Sequence, residues 1–493
     1  MRETSTTIKV RQRRIDEDVF LGMREAVLSL WPTGREVDLD DAVAYQKALP
    51  DSKRFHKVLQ KVHDEGRTVL FPRAGTPIVE EEIRLVRSLN ELGVNLVPFT
   101  TDSYTRNLQF DNAQKLLEES IKTGEAKLNG YPIVNHGVKT TRTVVEACDG
   151  AFDPRCSRLA NSLVAEIAFA SGMTAMPNSF FAWIGGYDKK ATVEECIETA
   201  QYLGRLIGYY ADRGVIITTD CHGWLPNFVV PMSVNIATQI IEALISAEQG
   251  VKSVFPQVNL QGHMAQDLAA MRVVPGLFRE YLDRLGYRDV IMPGVVGSQV
   301  PLYPFPQDMG SAFGYIVYTA TVAALGRMDA AFLKTIDEAL GIPTVDSHIE
   351  SYRSAKWVFE VLRPQEFEID NAEIREEGEV TVVEVKAILD RVLELGDGDV
   401  AVGAIKAVDA GVLDSPFSIN IHAKDKVLGI RDKGGACRYL EFGDLPIPED
   451  IKEFHRRKVA EREQAEGRTL DYYAAIEDFW AISRGRLKGL PGA

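Results

Sequence analysis

Between residues 66 and 340 the chain repeats one pattern of hydrophobic and polar positions: a short apolar run rich in β-branched residues, polar or glycine-rich residues after it, then an amphipathic stretch of helical length. Alternation of a buried strand with a helical period predicts βα units. Nine runs are candidate strands: Thr68–Phe71, Asn95–Phe99, Pro132–Asn135, Ala151–Asp153, Met173–Met176, Val215–Thr218, Ser253–Phe255, Val290–Met292 and Ala331–Leu333. Segments such as Val79–Leu92, Val193–Arg213 and Ala265–Leu285 have the length of crossover helices. A parallel TIM (β/α)8 barrel absorbs eight of the runs and leaves one weak run, near residue 132 or 151, outside the sheet. An open doubly wound sheet is the competing α/β architecture, but no G-x-G-x-x-G follows an early strand. The pattern predicts an N-terminal helical arm over residues 1–65, the barrel over 66–355, and a C-terminal α+β domain over 356–493. In the last region mixed short strands join charged helices, including Val380–Leu395 and Glu449–Gly467.

Composition narrows the partners. The 493 residues carry 56 Lys and Arg against 71 Asp and Glu, a formal charge of −15. Such a field repels phosphate backbones and anionic lipid, which argues against nucleic acid and membrane surfaces. The five cysteines (Cys148, Cys156, Cys196, Cys221, Cys437) are odd in number, scattered and without a C-x-x-C pair. This suits thiols in a reducing cytoplasm and neither a disulfide framework nor a metal site. No secretion signal is read near the N-terminus. The uncharged stretches Cys221–Ile241 and Met309–Gly326 are interrupted by prolines or diluted by polar residues, as buried core elements are.

In a parallel barrel the βα loops converge at the carboxyl ends of the strands, so the residues following each run are the candidates for chemistry. Three of these ends carry arginine: Arg73, Arg106 and Arg155. Asp220, Cys221 and His222 follow another run, Gln257 and Asn259 a further one, and Lys334 the last. Guanidinium groups gathered in one cavity call for an anion, and their forked donors match carboxylate or phosphate oxygens in pairs. Each arginine taken singly is more often a solvated or salt-bridged residue, and it is their shared position at strand ends that points to a ligand. His222 reads as a pocket-lining or hydrogen-bonded histidine, because its spacing to Asp220 and Cys221 matches no metal-ligand pattern. Asp346-Ser347-His348 begins like the D-x-H-x-x-G sequence that ligates cobalt in cobalamin domains, but position 351 is Ser, and a surface histidine on a helix is the plainer reading. Lys334 and Glu338, four apart, read as an ordinary helical side-chain pair.

A series of ordered motifs spans the chain from about residue 25 onward: Trp31–Gly34, Pro72–Gly75, Asp102–Arg106, Leu128–Pro132, Val134–Lys139, Phe305–Asp308, Lys334–Pro343, Gly411–Phe417 and Arg438–Gly443. Together they resemble the large (epsilon) subunit family of glutamate mutase, also called methylaspartate mutase. The resemblance implies an isomerase whose TIM barrel caps the adenosyl face of adenosylcobalamin, while a separate small subunit carries D-x-H-x-x-G and the lower face of the corrin. It implies a dimer of large chains with a small subunit on each, a heterotetramer that rearranges L-glutamate to 3-methylaspartate by a radical route. By position it implies that Arg73, Arg106 and Arg155 hold the substrate carboxylates and that Tyr187 touches the substrate. The cofactor contacts would fall on Gly75, Asn129, Gly186, Phe305, Lys334, Glu338 and Ile342, with Lys334 and Glu338 on the ribose.

The departures lie on the substrate side. Pro177 stands where the family has a glutamate that meets the substrate ammonium. Cys156 replaces a histidine, Trp183 a tyrosine and His222 a phenylalanine, and Phe180 and Phe181 flank the change. A proline neither accepts a proton nor pairs with a cation, and a buried unpaired ammonium costs several kcal/mol. Three readings follow: a mutase acting on glutamate or on a related small carboxylic acid, with Asp220 a substitute acid in the first case; a cobalamin-independent TIM-barrel lyase or isomerase that kept the arginine clamp; and a non-catalytic assembly partner. No residue is assigned as catalytic.

Overall fold

The computed structural model describes residues 8–156, 161–225, 229–299, 304–341 and 343–490. Eight parallel strands alternate with helices: β1 (Val69–Pro72), β2 (Leu96–Thr100), β3 (Ala151–Arg155), β4 (Ala175–Pro177), β5 (Thr218–Cys221), β6 (Ser253–Leu260), β7 (Val296–Gln299) and β8 (Ala330–Leu333). Six form one sheet in the order β1-β8-β7-β6-β5-β4, and β2 and β3 pair with each other. A parallel bridge between Ala74 and Phe99 joins β2 to the end of β1. On the other side the Thr174 N–H donates to the Phe152 carbonyl at 3.1 Å, linking β3 to β4. The circle of eight is that of a TIM barrel. Its ladder is thinnest where prolines fall: Pro72, Pro98, Pro154 and Pro177 lie in the first four strands and contribute no backbone donor.

The barrel interior is aromatic toward its floor. Phe71, Phe255 and Phe332 cluster with Phe55, whose ring stacks on Phe255 at 5.3 Å. Phe55 opens the helix Phe55–Asp64, the last of the N-terminal arm, and this helix closes the end of the barrel opposite the active-site loops. A fully buried Phe contributes ~2–3 kcal/mol, so the arm is part of the barrel core. The long helix Val193–Asp212 starts at a capping box made by Thr192 and Glu195. In the C-terminal region an antiparallel hairpin, β9 (Val427–Arg431) with β10 (Cys437–Phe442), is accompanied by charged helices. The helix Ala372–Leu395 packs on the barrel helices Ser233–Glu248 and Met264–Arg284.

One open point of the sequence reading is decided and three expectations are corrected. The run at 132 is not a strand: Ile133–Glu146 is helical with a break at Gly137 (φ 73°), and the run at 151 is β3. Val290–Met292 precedes the strand it predicts, since β7 begins at Val296 and Ile291 makes only an isolated bridge to Ser253. Apolar content there belongs to the approach to the strand, while β7 itself is Val-Gly-Ser-Gln. Val215–Thr218 likewise leads into β5, whose own residues are the polar series Thr-Thr-Asp-Cys. Arg155, Asp220, Gln257 and Asn259 lie inside strands, so the mouth is deeper than the apolar runs imply. Among the described residues no helix is long and apolar enough to cross a membrane.

Candidate functional site

The site builds up from the strand ends. Arg73 follows β1, and its backbone N–H donates to the Tyr352 hydroxyl at 3.2 Å. That hydroxyl is 3.0 Å from Nδ1 of His348. Since the amide must donate, the hydroxyl keeps its own proton for the imidazole. Burial lowers the His348 pKa to about 4, so the ring is a neutral acceptor. His348 is therefore buried against the site rather than on the surface, correcting the sequence reading. The Arg73 side chain reaches Glu338 Oε1 at 3.6 Å, and Lys334 Nζ lies 3.2 Å from the same oxygen. Lys334 and Glu338 are indeed paired, but on the loop after β8 and not on a helix. Burial, with Arg73 adding to it, pulls the Lys334 pKa down against Glu338. Phe305 lies 5.6 Å from the Lys334 ammonium.

A cavity of about 280 Å³ opens between these groups, lined by Arg73, Gly75, Thr100, Asn129, Glu338 and His348 among others. Gly75 is required by its neighbour: a Cβ there would come within 2.6 Å of the Thr100 carbonyl oxygen. The Asn129 side chain accepts from the Ser103 N–H at 2.9 Å, at the start of the short helix Ser103–Arg106. Asp102 caps the same turn through the Tyr104 and Thr105 N–H groups. This turn carries Arg106, whose pKa is lowered by burial and then by the like charge of Arg73, and raised by Cys156, Tyr187 and Asp102. Arg73, Arg106, Cys156 and Tyr187 thus share one electrostatic environment. Arg106 has no carboxylate in ion-pair range among the described residues; its Nε donates to the Asp102 carbonyl at 3.4 Å.

Arg155 is differently placed. It ends β3, and Nη1 donates to Asp153 Oδ2 at 2.7 Å and Asp220 Oδ2 at 2.8 Å. Nη2 lies 2.6 Å from Nε2 of His222, which is 2.5 Å from Asp220 Oδ2. Gln257 Nε2 also donates to that oxygen at 2.6 Å. The guanidinium sits 5.0 Å from the centroid of Phe332 and 5.6 Å from that of Phe71. Burial raises Asp220, but Arg155 and His222 outweigh it and hold the carboxyl below its ordinary range. Asp153 goes the other way, raised by burial and by the like charge of Asp220 against the pull of Arg155. The anion that three converging arginines call for is, at Arg155, supplied by the barrel.

Pro177 ends β4 in register with Asp220, and its carbonyl accepts from Asn161 Nδ2 at 3.4 Å. Next come Phe180, Phe181 and Trp183, all fully buried, with Trp183 opening a π-helical turn, Trp183–Tyr187, that includes Gly186. Trp183 Nε1 is buried with no hydrogen-bond partner among the described residues. Ile342 lies outside them. Sequence reasoning missed Glu242 on the helix Ser233–Glu248. Its two oxygens accept from the Phe181 N–H at 2.8 Å and the Gly223 N–H at 2.9 Å, tying the loops after β4 and β5 together. An acid within an otherwise apolar helix was the available signal. Asp153, inside β3, was hidden by lying in a strand run. No group of His, Cys, Asp and Glu suited to a metal occurs among the described residues.

Residues 49–491 match the family described as Methylaspartate mutase E chain (MutE). The chain is 39% identical over 480 residues to a glutamate mutase epsilon subunit from Desulfitobacterium hafniense, covering 97% of this chain and 99% of that protein. It is 36% identical to proteins of the same name from Treponema denticola, over 98% of this chain and 99% of that one, and Haloarcula marismortui, over 97% and 96%. The match spans the barrel, its mouth and the C-terminal region alike, and the chain belongs to the methylaspartate mutase E chain family.

Proposed function

We propose that this chain is the catalytic barrel subunit of an adenosylcobalamin-dependent carbon-skeleton mutase of the glutamate mutase type, converting L-glutamate to 3-methylaspartate or rearranging a related small carboxylic acid. The observation that carries the reading is the cavity at the strand ends, where Arg73 and Lys334 meet on Glu338 beside the close-packed Gly75. The residues fit the cofactor: an ion pair of hydroxyl-binding groups, a backbone without a side chain, and an amide at Asn129 line one opening. Adenosylcobalamin, when bound, supplies homolysis of its carbon–cobalt bond and so the radical that removes a substrate hydrogen. Lys334 and Glu338 would hold the ribose, with Gly75, Asn129, Gly186, Phe305 and Ile342 around the rest of the group. Arg73, Arg106 and Arg155 would hold carboxylate oxygens, with Tyr187, Cys156, Pro177 and Trp183 bounding the substrate. Asp153 Oδ1 and Asp220 Oδ1 are buried and unpartnered among the described residues, and acceptors of this kind suit an ammonium that Pro177 cannot hold.

The epsilon name of the relatives is that of one subunit among several. That supports a partner subunit; we further propose that the partner is a small cobalamin-binding chain carrying D-x-H-x-x-G, that the large chains pair as a dimer, and that the enzyme is cytoplasmic. In this reading residues 66–355 carry the site, with the arm 1–65 and the region 356–493 flanking it. The retained Arg73–Glu338–Lys334 group favours a mutase over a cobalamin-independent lyase. The test is gel filtration of the chain mixed with its small subunit and adenosylcobalamin. Co-elution of the cofactor with both chains is expected, and its loss from the complex would contradict the proposal.

A further inference from the structure

The polar knot between β3 and β5 contains a contact that cannot be satisfied on both sides at once. Nε2 of His222 is 2.6 Å from Arg155 Nη2 and 2.5 Å from Asp220 Oδ2. Arginine only donates and an ionised carboxylate only accepts. With Nε2 bare, the arginine bond is made and the aspartate faces a lone pair. With Nε2 protonated, the aspartate bond is made and the guanidinium faces an N–H. Nη1 of Arg155 is committed to Asp153 and Asp220, so Nη2 is the end whose partner can be exchanged.

We propose that His222 is a positioning residue that occupies Nη2 of Arg155 in the unliganded chain and yields it to a substrate carboxylate, taking up one proton from solvent as it does so. The inference rests on the reading of Arg155 as a carboxylate-holding residue. In the exchange the Arg155 N–H to Nε2 contact breaks and an Arg155 N–H to carboxylate contact forms. The incoming proton settles on Nε2 and is donated to Asp220 Oδ2. Two features favour this. A carboxylate brought beside Asp153 and Asp220 adds negative charge to a site that already holds both, and a proton offsets it. The His222 backbone is also held independently of the ring: its N–H donates to Ser179 Oγ at 2.8 Å and its carbonyl accepts from Asn235 Nδ2 at 2.6 Å, so the imidazole can change partners without moving the loop.

The charged groups around the ring come from several elements. Asp220 lies on β5, Arg155 on β3 with Asp153 behind it, and Arg73 at the end of β1, while Glu242 meets the adjoining backbone from its helix. Burial, reinforced by Arg155 and Arg73 and opposed by Asp220, holds the imidazole below its ordinary pKa in the unliganded chain. The negative charge of a bound carboxylate offsets the arginines and raises it.

The test is isothermal titration of the chain, alone and with its small subunit, with L-glutamate and with glutarate, in buffers of different ionisation heat. Uptake approaching one proton per ligand is expected between the two pKa values of His222, with Kd weakening up to tenfold per unit as pH rises across that window. His222→Gln, which keeps polar contacts but cannot take the proton, is expected to abolish the uptake and flatten the profile. Zero uptake in the natural chain, or uptake unchanged in His222→Gln, would overturn the inference; the second result would place the proton on Asp153. Nitrogen NMR of labelled imidazole in the natural chain decides the matter if the variant does not fold: Nε2 should change from acceptor to N–H on ligand binding, and an unchanged signal would overturn the assignment. Failure of both acids to bind, even with the small subunit, would instead contradict the carboxylate-site reading itself.

Discussion

The two sides of the barrel mouth follow opposite electrostatic plans. Around β1 and β8, Arg73 and Lys334 both reach Glu338, and Arg106, after the neighbouring β2, has no carboxylate in ion-pair range among the described residues. Around β3 and β5, Arg155 is enclosed by Asp153, Asp220 and His222 before any ligand arrives. The first side has cationic character to spare and draws anions. The second is balanced within itself, and its Arg155 admits a carboxylate only by exchanging one partner for another. A motif of three arginines at three strand ends thus conceals two different kinds of site.

The strongest way to break this comparison is Arg106→Lys. A point-like ammonium cannot reproduce a two-pronged carboxylate contact. Hydrogen bonds to charged groups are worth ~1.5–3 kcal/mol each, so turnover should fall about 100-fold while cofactor retention stays within about twofold. Equal losses in both measurements would contradict the separation of substrate and cofactor groups. Glu242→Ala addresses the other side. It leaves the buried Phe181 and Gly223 N–H groups without their acceptor, at ~1–3 kcal/mol for each. A lowered melting temperature and weakened carboxylate binding are expected, and an unchanged melt would show that the loops after β4 and β5 do not depend on it. Glu338→Gln sharpens the comparison from the cationic side. Removing the charge shared by Arg73 and Lys334 should weaken cofactor retention about tenfold, by ~1.4 kcal/mol, and leave the His222-linked proton uptake as it was.

The effect most remote from substrate and cofactor is on the pH dependence of stability. His348 has a folded-state pKa of about 4, below its unfolded value, so its contribution is present above about pH 6.5 and lost as pH falls toward 4. Acid titration of the melting temperature should show this limb, at up to ~1.4 kcal/mol per pH unit, and His348→Gln should flatten it. Glu82, pushed to about 7 by burial, works with the opposite sign: its contribution is complete near pH 4 and declines as pH rises toward 7. A steeper acid limb in His348→Gln would contradict the buried, neutral ring described here.

Much of the fold was legible because barrel strands bury both faces and the crossover helices are long and amphipathic. The helices Val79–Glu91, Val193–Asp212 and Met264–Arg284 begin and end within a residue or so of the pattern. Strand positions were read less well at β5 and β7, where polar residues occupy the strand itself and the apolar run lies ahead of it. Period cannot place a strand that faces a polar mouth. The arginines, with Asp220 and Glu338, were found because strand ends carry function, whereas other groups that hold the site were not. Asp153 sits inside an apolar run, Glu242 on a core helix, and Tyr352 with His348 on a helix that follows the last strand. Each reaches the site through the fold and not through proximity in sequence. The preference for a surface His348 failed for the same reason.

The measurement that tests the account most directly is anaerobic reconstitution of the chain with its small subunit and adenosylcobalamin, followed by L-glutamate. Cob(II)alamin absorbance and 3-methylaspartate by NMR are followed together, beside the Arg106→Lys variant. The natural chain is expected to give cob(II)alamin and the rearranged product with L-glutamate or with a related small carboxylic acid, and the variant to retain the cofactor but give neither. A natural complex that holds the cofactor yet forms no cob(II)alamin with L-glutamate or with other small carboxylic acids would contradict the account.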